Sequence, residues 1–216
     1  MPSNHRKIPP NVDFDGILWY DKIKKRKDIP IMNYYDITVA GCKRALPICP
    51  ITDDLYIAGF VIFGDPELTT CCAQALLDKA PKYDYIITAE AKGIPLAHEM
   101  ARLAGNQKYF VARKAVKAYM TDIFGVDVRS ITTNRDQHLY IDGDDARLMS
   151  QKRILIVDDV ISTGESLRAV EKLVLAAGGI ICGKMAILAE GDACQRDDII
   201  YLEKLPLFNK NAEIIG

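Results

Sequence analysis

Asp158 and Asp159, side by side at the end of an apolar run, point most directly to chemistry. They fall in Ile154-Leu155-Ile156-Val157-Asp158-Asp159-Val160-Ile161-Ser162-Thr163-Gly164-Glu165-Ser166, which reads as a buried strand passing through a small-residue turn into a helix. Carboxylates accept hydrogen bonds and bind hard cations, so the pair suits a sugar's hydroxyls or a metal ion. The free N–H groups and positive dipole end of the helix that follows can hold a phosphate. Acids beside an anion cradle suggest a phosphorylated sugar. A generic strand and capped helix is the bland alternative, since Ser and Thr are common N-caps. The double acid and the Ser-Thr-Gly-x-Ser turn occurring together argue against it.

Two further stretches carry cations where strands should end. Glu90-Ala91-Lys92-Gly93 follows an apolar run and precedes a helical pattern. Glycine permits close backbone approach there, and Lys92 could neutralise a leaving anion. The same residues also fit an ordinary surface turn. Arg113-Lys114-Ala115-Val116-Lys117 leaves the next strand, so Arg113, Lys114 and Lys117 could meet a diphosphate or merely begin a solvated loop.

The elements that must position these groups follow from the pattern of the chain. Residues 56–63 read as a strand, and Asp65 and Pro66 as N-cap and first residue of a helix over 67–79. Residues 83–89, 109–112, 153–157, 180–188 and 199–205 read as strands. Helices are expected over 94–103 and 164–177, stopped near Gly105 and at Gly178-Gly179. Between 113 and 153 the alternation lapses into an irregular hairpin rather than a helix. Strands alternating with helices make an α/β doubly wound, mainly parallel sheet with helices on both faces, whose ligands sit beyond the carboxyl ends of the strands. The chemistry is therefore expected just after Ala89, Ala112 and Val157.

Composition narrows the classes further. With 216 residues, 49% apolar and 26% charged, the chain is neither disordered nor collagen-like and is long enough to bury a core unaided. A net charge of -1 provides no global field for gripping nucleic acid. Six cysteines in no C-x-x-C pair, with three histidines, argue against structural zinc and for reduced thiols. No apolar run approaches a membrane span and the start has no signal-like core, so a cytoplasmic protein without membrane contact is expected. Residues 1–40 read as an irregular N-terminal segment and 41–216 as the main domain. The run Lys22, Lys24, Lys25, Arg26, Lys27 beside Trp19 and Tyr20 suits either a solvated turn or a phosphate-rich polymer.

Residues 153–166 resemble the type I phosphoribosyltransferase family, whose signature for phosphoribosyl diphosphate is an apolar strand, two acids, two apolar or small residues and a Thr-Gly turn. By that resemblance Asp158 and Asp159 contact the ribose hydroxyls. Ile161, Ser162, Thr163, Gly164, Glu165 and Ser166 wrap the 5'-phosphate, and Val160 lies against the base. Glu165 stands where many members carry glycine or another small residue. Glu90-Ala91-Lys92-Gly93 is similar to the diphosphate loop of adenine phosphoribosyltransferases, with Lys92 replacing the usual arginine. Many members also have an Arg-Lys pair like Arg113-Lys114, followed by a mobile loop, here about 114–137, that closes over the site. Members using purines often place a glutamate in this loop to assist the base's proton chemistry; Asp122, Asp127, Asp136 and Asp142 are the candidates here.

The resemblance covers about residues 50–205 and is most like the adenine and xanthine enzymes. It implies transfer of the 5-phosphoribosyl group from phosphoribosyl diphosphate to a purine base in nucleotide salvage, with adenine favoured. It further implies magnesium held by Asp158 and Asp159, a homodimer, and a hood built from the terminal segments. Lys92, Arg113 and Lys114 would then stabilise the departing diphosphate, and the two acids the positive charge developing on the ribose. Two alternatives stand beside this: a phosphoribosyl diphosphate-sensing regulator without turnover, and an orotate phosphoribosyltransferase. The lack of a G-x-x-x-x-G-K-[ST] loop argues against a phosphate-binding NTPase.

Overall fold

The computed structural model describes residues 33–129 and 136–215. The basic run near Lys22 and the rest of 1–32 lie outside the described residues, as do positions 130–135. In chain order the elements are β1 (Tyr34–Val39), β2 (Cys42–Pro50), β3 (Tyr56–Ala58), α1 (Pro66–Leu77), β4 (Tyr85–Ala89), α2 (Ile94–Leu103) and β5 (Phe110–Ala112). Next come β6 (Phe124–Arg129), β7 (Asp136–Ile141), α3 (Gly143–Met149), β8 (Arg153–Ile161) and α4 (Glu165–Ala176). Then follow β9 (Ile180–Glu190), a 3-10 turn (Gly191–Gln195), β10 (Ile200–Leu205), β11 (Leu207–Phe208) and β12 (Ile214–Ile215).

The central sheet has the order β10-β9-β8-β4-β5, all parallel, as the alternation of strands and helices requires. β8 lies in its middle, and Ile154, Leu155, Ile156 and Val157 are all buried because both faces are covered. Leu155 and Val157 pack with residues of α1 and α2, whereas Ile154 and Ile156 pack with α4. α4 presents Leu167, Val170, Leu173 and Val174 as its buried stripe, the spacing of an amphipathic helix laid on a sheet. α1 begins as expected: Asp65 accepts from the Leu68 amide at 3.1 Å and Pro66 is the first helical residue. Arg44 of β2 donates from Nε to Asp65 Oδ2 at 2.6 Å and holds that carboxyl below the usual range.

Residues near both ends of the chain share a second, antiparallel sheet of order β1-β2-β3-β11-β12. This corrects the reading of 56–63 as the first strand of the α/β repeat. β3 stops at Ala58 and pairs with β2 and β11. Gly59 then donates its amide to the Pro47 carbonyl at 2.8 Å, so the backbone groups after Ala58 are used outside the parallel sheet. Tyr34–Val39, within the stretch read as irregular, pairs with β2.

Two other differences have identifiable causes. β6 and β7 form the expected hairpin, but Gly143–Met149 is a helix, started by Asp142, which accepts from the Asp144 and Thr121 amides at 3.1 and 2.9 Å. β8 continues four residues past Val157, because its pairing with β9 runs on to Ile161 opposite Ala189. The two acids therefore lie within the strand's last turn of pleat rather than beyond it. All six cysteines are free. Among the described residues no helix is long and apolar enough to cross a membrane.

Candidate active site

Successive residues of a strand point to opposite faces, so the adjacent acids of β8 meet different surroundings. Asp159 is 3% exposed, and its Oδ2 is sealed from solvent without a hydrogen bond. Lys92 Nζ stands 3.1 Å from that oxygen, an ion pair whose direction is not that of a hydrogen bond. Asp158 Oδ1 accepts from the Asp159 amide at 2.9 Å. Burial and then the charge of Asp159 push the Asp158 carboxyl up to about 7.

An acid raised in the folded chain binds its proton more tightly there than when unfolded, so stability is lost as pH climbs from about 4 through about 7. Asp158→Asn removes that loss. Its melting temperature should match the wild type near pH 4 and exceed it near pH 8, by the equivalent of about 1–3 kcal/mol, allowing for solvent reaching the half-buried side chain. Calorimetry across pH reads this, and superimposable curves near pH 8 would refute it.

Lys92 reaches Asp159 because β4 pairs directly with β8, Ile87 opposite Ile156. The turn after β4 is thereby laid on the acids, and only glycine fits at its closest point. A Cβ on Gly93 would lie 2.2 Å from Thr88 Oγ1, 3.0 Å from Asp158 Oδ1 and 3.3 Å from Asp158 Cα. Ala91 and Lys92 are exposed on the outer side of this turn, and α2 begins at Ile94.

Glu90 gathers the second group of cations. Its Oε1 accepts from Arg113 Nη1 at 3.2 Å and lies 3.8 Å from Lys117 Nζ, while Oε2 accepts from the Lys114 amide at 3.3 Å. Burial opposes ionisation of Glu90, but the Lys114 amide and the charges of Lys117 and Arg113 outweigh it and hold the carboxyl below its ordinary value. The acid thus braces the start of the basic segment, and the Lys114 side chain remains exposed.

The third group is the turn from β8 into α4. Ser162, Glu165 and Ser166 are half-buried, Thr163 is exposed, and Thr163 Oγ1 accepts from the Glu165 amide at 3.4 Å. Gly164 has φ +73°, the left-handed conformation that glycine adopts without strain. Ile161 is buried on the α4 side, so only its backbone faces the turn. Val160 is half-buried against the core shared with the antiparallel sheet.

Arg196, beside the candidate site, was not legible in the sequence. Its Nη1 lies 2.7 Å from where a Gly164 Cβ would stand, at the N-terminus of α4. Its Nε and Nη2 hold Asp198 at 2.8 and 2.7 Å, and Asp198 also pairs with Lys184. The only signal in the sequence is a lone arginine between the last core strands, which nothing ties to residue 164. Of the loop acids named as proton-transfer candidates, Asp122 pairs with Arg147, Asp127 Oδ1 lies 2.6 Å from His138 Nδ1, and Asp142 caps α3. The side chain of Asp136 lies outside the described residues.

The structure brings Asp158, Asp159, Lys92 and Gly93 into contact, and Glu90, Arg113, Lys114 and Lys117 into a second cluster. Both lie at the carboxyl edge of the parallel sheet, as does the turn into α4. That edge is where open α/β sheets bind ligands.

Known proteins are similar to this chain in sequence and in fold. Residues 68–213 match the family model described as the phosphoribosyl transferase domain. The chain is 31% identical over 151 residues to a hypoxanthine/guanine phosphoribosyltransferase of Methanohalobium evestigatum, covering 69% of this chain and 72% of that one. It is 36% identical over 145 residues to the Methanococcus voltae protein of the same name, covering 67% and 71%. In fold it is similar to the adenine phosphoribosyltransferase of Thermoanaerobacter pseudethanolicus, with a TM-score of 0.54 at 22% identity, covering 86% of this chain and 99% of that one. With the family model matched over residues 68–213 and relatives at 31% and 36% identity, this chain belongs to the phosphoribosyl transferase domain family.

Proposed function

We propose that this protein transfers the 5-phosphoribosyl group from phosphoribosyl diphosphate to a 6-oxopurine base, hypoxanthine or guanine, and releases diphosphate. The observation that carries the reading is the Lys92–Asp159 pair, laid beside Asp158 at the edge from which α4 starts. In the reaction a ring nitrogen of the base forms the bond to the anomeric carbon, the bond from that carbon to diphosphate breaks, and the base gives up its proton.

Ser162, Thr163 and Ser166, with the free amides opening α4, receive the 5'-phosphate, and Arg196 adds a fixed positive charge behind Gly164. Asp158 and Asp159 accept the ribose hydroxyls and favour the positive charge that grows on the sugar. Lys92, Arg113 and Lys114 favour the negative charge growing on the diphosphate. No group of three or more His, Cys, Asp or Glu among the described residues forms a metal cage. Two carboxylates with substrate oxygens completing the shell are nevertheless the donor set that suits magnesium. Held there by Asp158 and Asp159, magnesium would supply charge neutralisation to the diphosphate.

Relatives at 31% and 36% identity favour hypoxanthine or guanine over the adenine expected from the sequence, whereas the adenine-named structure at 22% supports the fold alone. The test is diphosphate release from phosphoribosyl diphosphate and magnesium across adenine, hypoxanthine, guanine, xanthine, uracil and orotate. Release with hypoxanthine or guanine is the expected result. Release with adenine alone would overturn the choice of base, and release with none, despite measurable binding of phosphoribosyl diphosphate, would overturn the transferase reading.

A further inference from the structure

Glu190 ends β9 and is 8% exposed. A carboxylate covered to that degree ordinarily has a cation or several N–H donors, because burying it bare is costly. Among the described residues the Glu190 side chain makes no hydrogen bond or ion pair, whereas the other buried acid, Asp159, has Lys92 beside it. The sealed, unpartnered oxygen among the described residues belongs to Asp159, so the bare carboxylate of Glu190 opens toward solvent rather than into the core.

Its place follows from the register. Leu188 pairs with Val160, Ala189 with Ile161, and Glu190 with Leu205 of β10. Leu188 packs with Val160, Leu205 and Phe208 on the side that carries the antiparallel sheet; Ala189 packs with Ile161 on the α4 side. Residues two apart share a face, so Glu190 stands on the side of Leu188 and Val160, about 7 Å farther along the strand. Its neighbour Gly191 approaches Leu207 of β11, to which an added Cβ would lie 3.1 Å from Cδ1. Glu190 thus sits at the sheet's carboxyl edge, under the antiparallel sheet and past the half-buried Val160.

A carboxylate can only accept hydrogen bonds. Guanine presents N1–H and its 2-amino group side by side and so matches both oxygens at once. Hypoxanthine offers N1–H alone. Adenine turns a lone pair toward the same place, and xanthine flanks N1–H with two carbonyls. We infer that Glu190 reads the base, receiving N1–H and the 2-amino group of guanine, and makes guanine the preferred acceptor. This rests on the reading of the site as a 6-oxopurine transferase.

The experiment measures kcat/KM for guanine, hypoxanthine and adenine with the full chain, phosphoribosyl diphosphate and magnesium, in wild type, Glu190→Gln and Glu190→Asp. In Glu190→Gln the amide oxygen still accepts N1–H, but its NH2 faces the 2-amino group. The guanine-to-hypoxanthine ratio should therefore fall about tenfold to a hundredfold, with KM for phosphoribosyl diphosphate unchanged. Glu190→Asp keeps the charge, withdraws it by one methylene, and should lower guanine turnover less. Calorimetric guanine titration of the wild type and Glu190→Gln adds a readout independent of turnover, and a structural role alone would leave the base ratio unmoved. Wild-type turnover with adenine alone overturns both readings. Guanine turnover and binding that Glu190→Gln leaves unchanged overturn the Glu190 role and leave the transferase reading standing.

Discussion

Asp159→Asn is expected to lower kcat for phosphoribosyl transfer about a hundredfold while the protein melts at or slightly above the wild-type temperature. The two effects have separate causes. In the wild type a buried carboxylate carries a sealed oxygen with no hydrogen bond and a single cation 3.1 Å away, an arrangement that stabilises the fold little because desolvation offsets the attraction. Removing the charge relieves that desolvation, and the half-exposed Lys92 is hydrated in its place. Function loses on both sides: the ribose faces a weaker acceptor, and Lys92 loses the partner that aims it. Lys92→Ala should slow the reaction similarly, since Asp159 is then left buried without its cation. Steady-state kinetics with saturating hypoxanthine, together with calorimetry, separate the effects. A kcat within about threefold of wild type for Asp159→Asn would remove the acid from the proposed mechanism.

Gly93→Ala is expected to reduce kcat/KM by about a hundredfold or more and to destabilise the fold by about 1–3 kcal/mol. The new Cβ would stand 2.2 Å from the hydroxyl of the fully buried Thr88 and 3.0 Å from Asp158 Oδ1. Thr88 has no free space to retreat into, so the turn must lift from β8, carrying Lys92 away from Asp159. Adding Thr88→Ala removes the first overlap but not the second. The double variant should thus regain most of the stability and only part of the activity. Full activity in Gly93→Ala would mean that the turn tolerates displacement and that its contact with Asp158 is incidental.

Much of the candidate site was legible wherever the information is local. Residues 153–166 combine an apolar run, two acids and a small-residue turn within one strand and one helix start, and hydrophobic periodicity with capping chemistry suffices to read them. The helix over 94–103 and the one capped by Asp65 follow from similar short-range signals. Errors began where an element's fate depended on a distant partner. The apolar run 56–63 has the composition of a core strand, yet β3 belongs to the antiparallel sheet because β2 and β11 offer it hydrogen bonds there. The end of β8 moved from Val157 to Ile161 because β9 pairs with it that far.

Residue types alone determined that this chain has acids, cations and a small-residue turn to bring together, since charge and hydrogen-bonding capacity belong to the side chains themselves. Only the tertiary structure decided their partners. Sequence spacing is silent on strand order, and it is the adjacency of β4 and β8 that sets Lys92 against Asp159 and rests Gly93 on Asp158. The same holds for Glu90 bracing Arg113 and Lys117 and for Arg196 behind Gly164. Each is a contact between segments far apart in the chain, chosen by how the sheet buries its two faces rather than by any local preference.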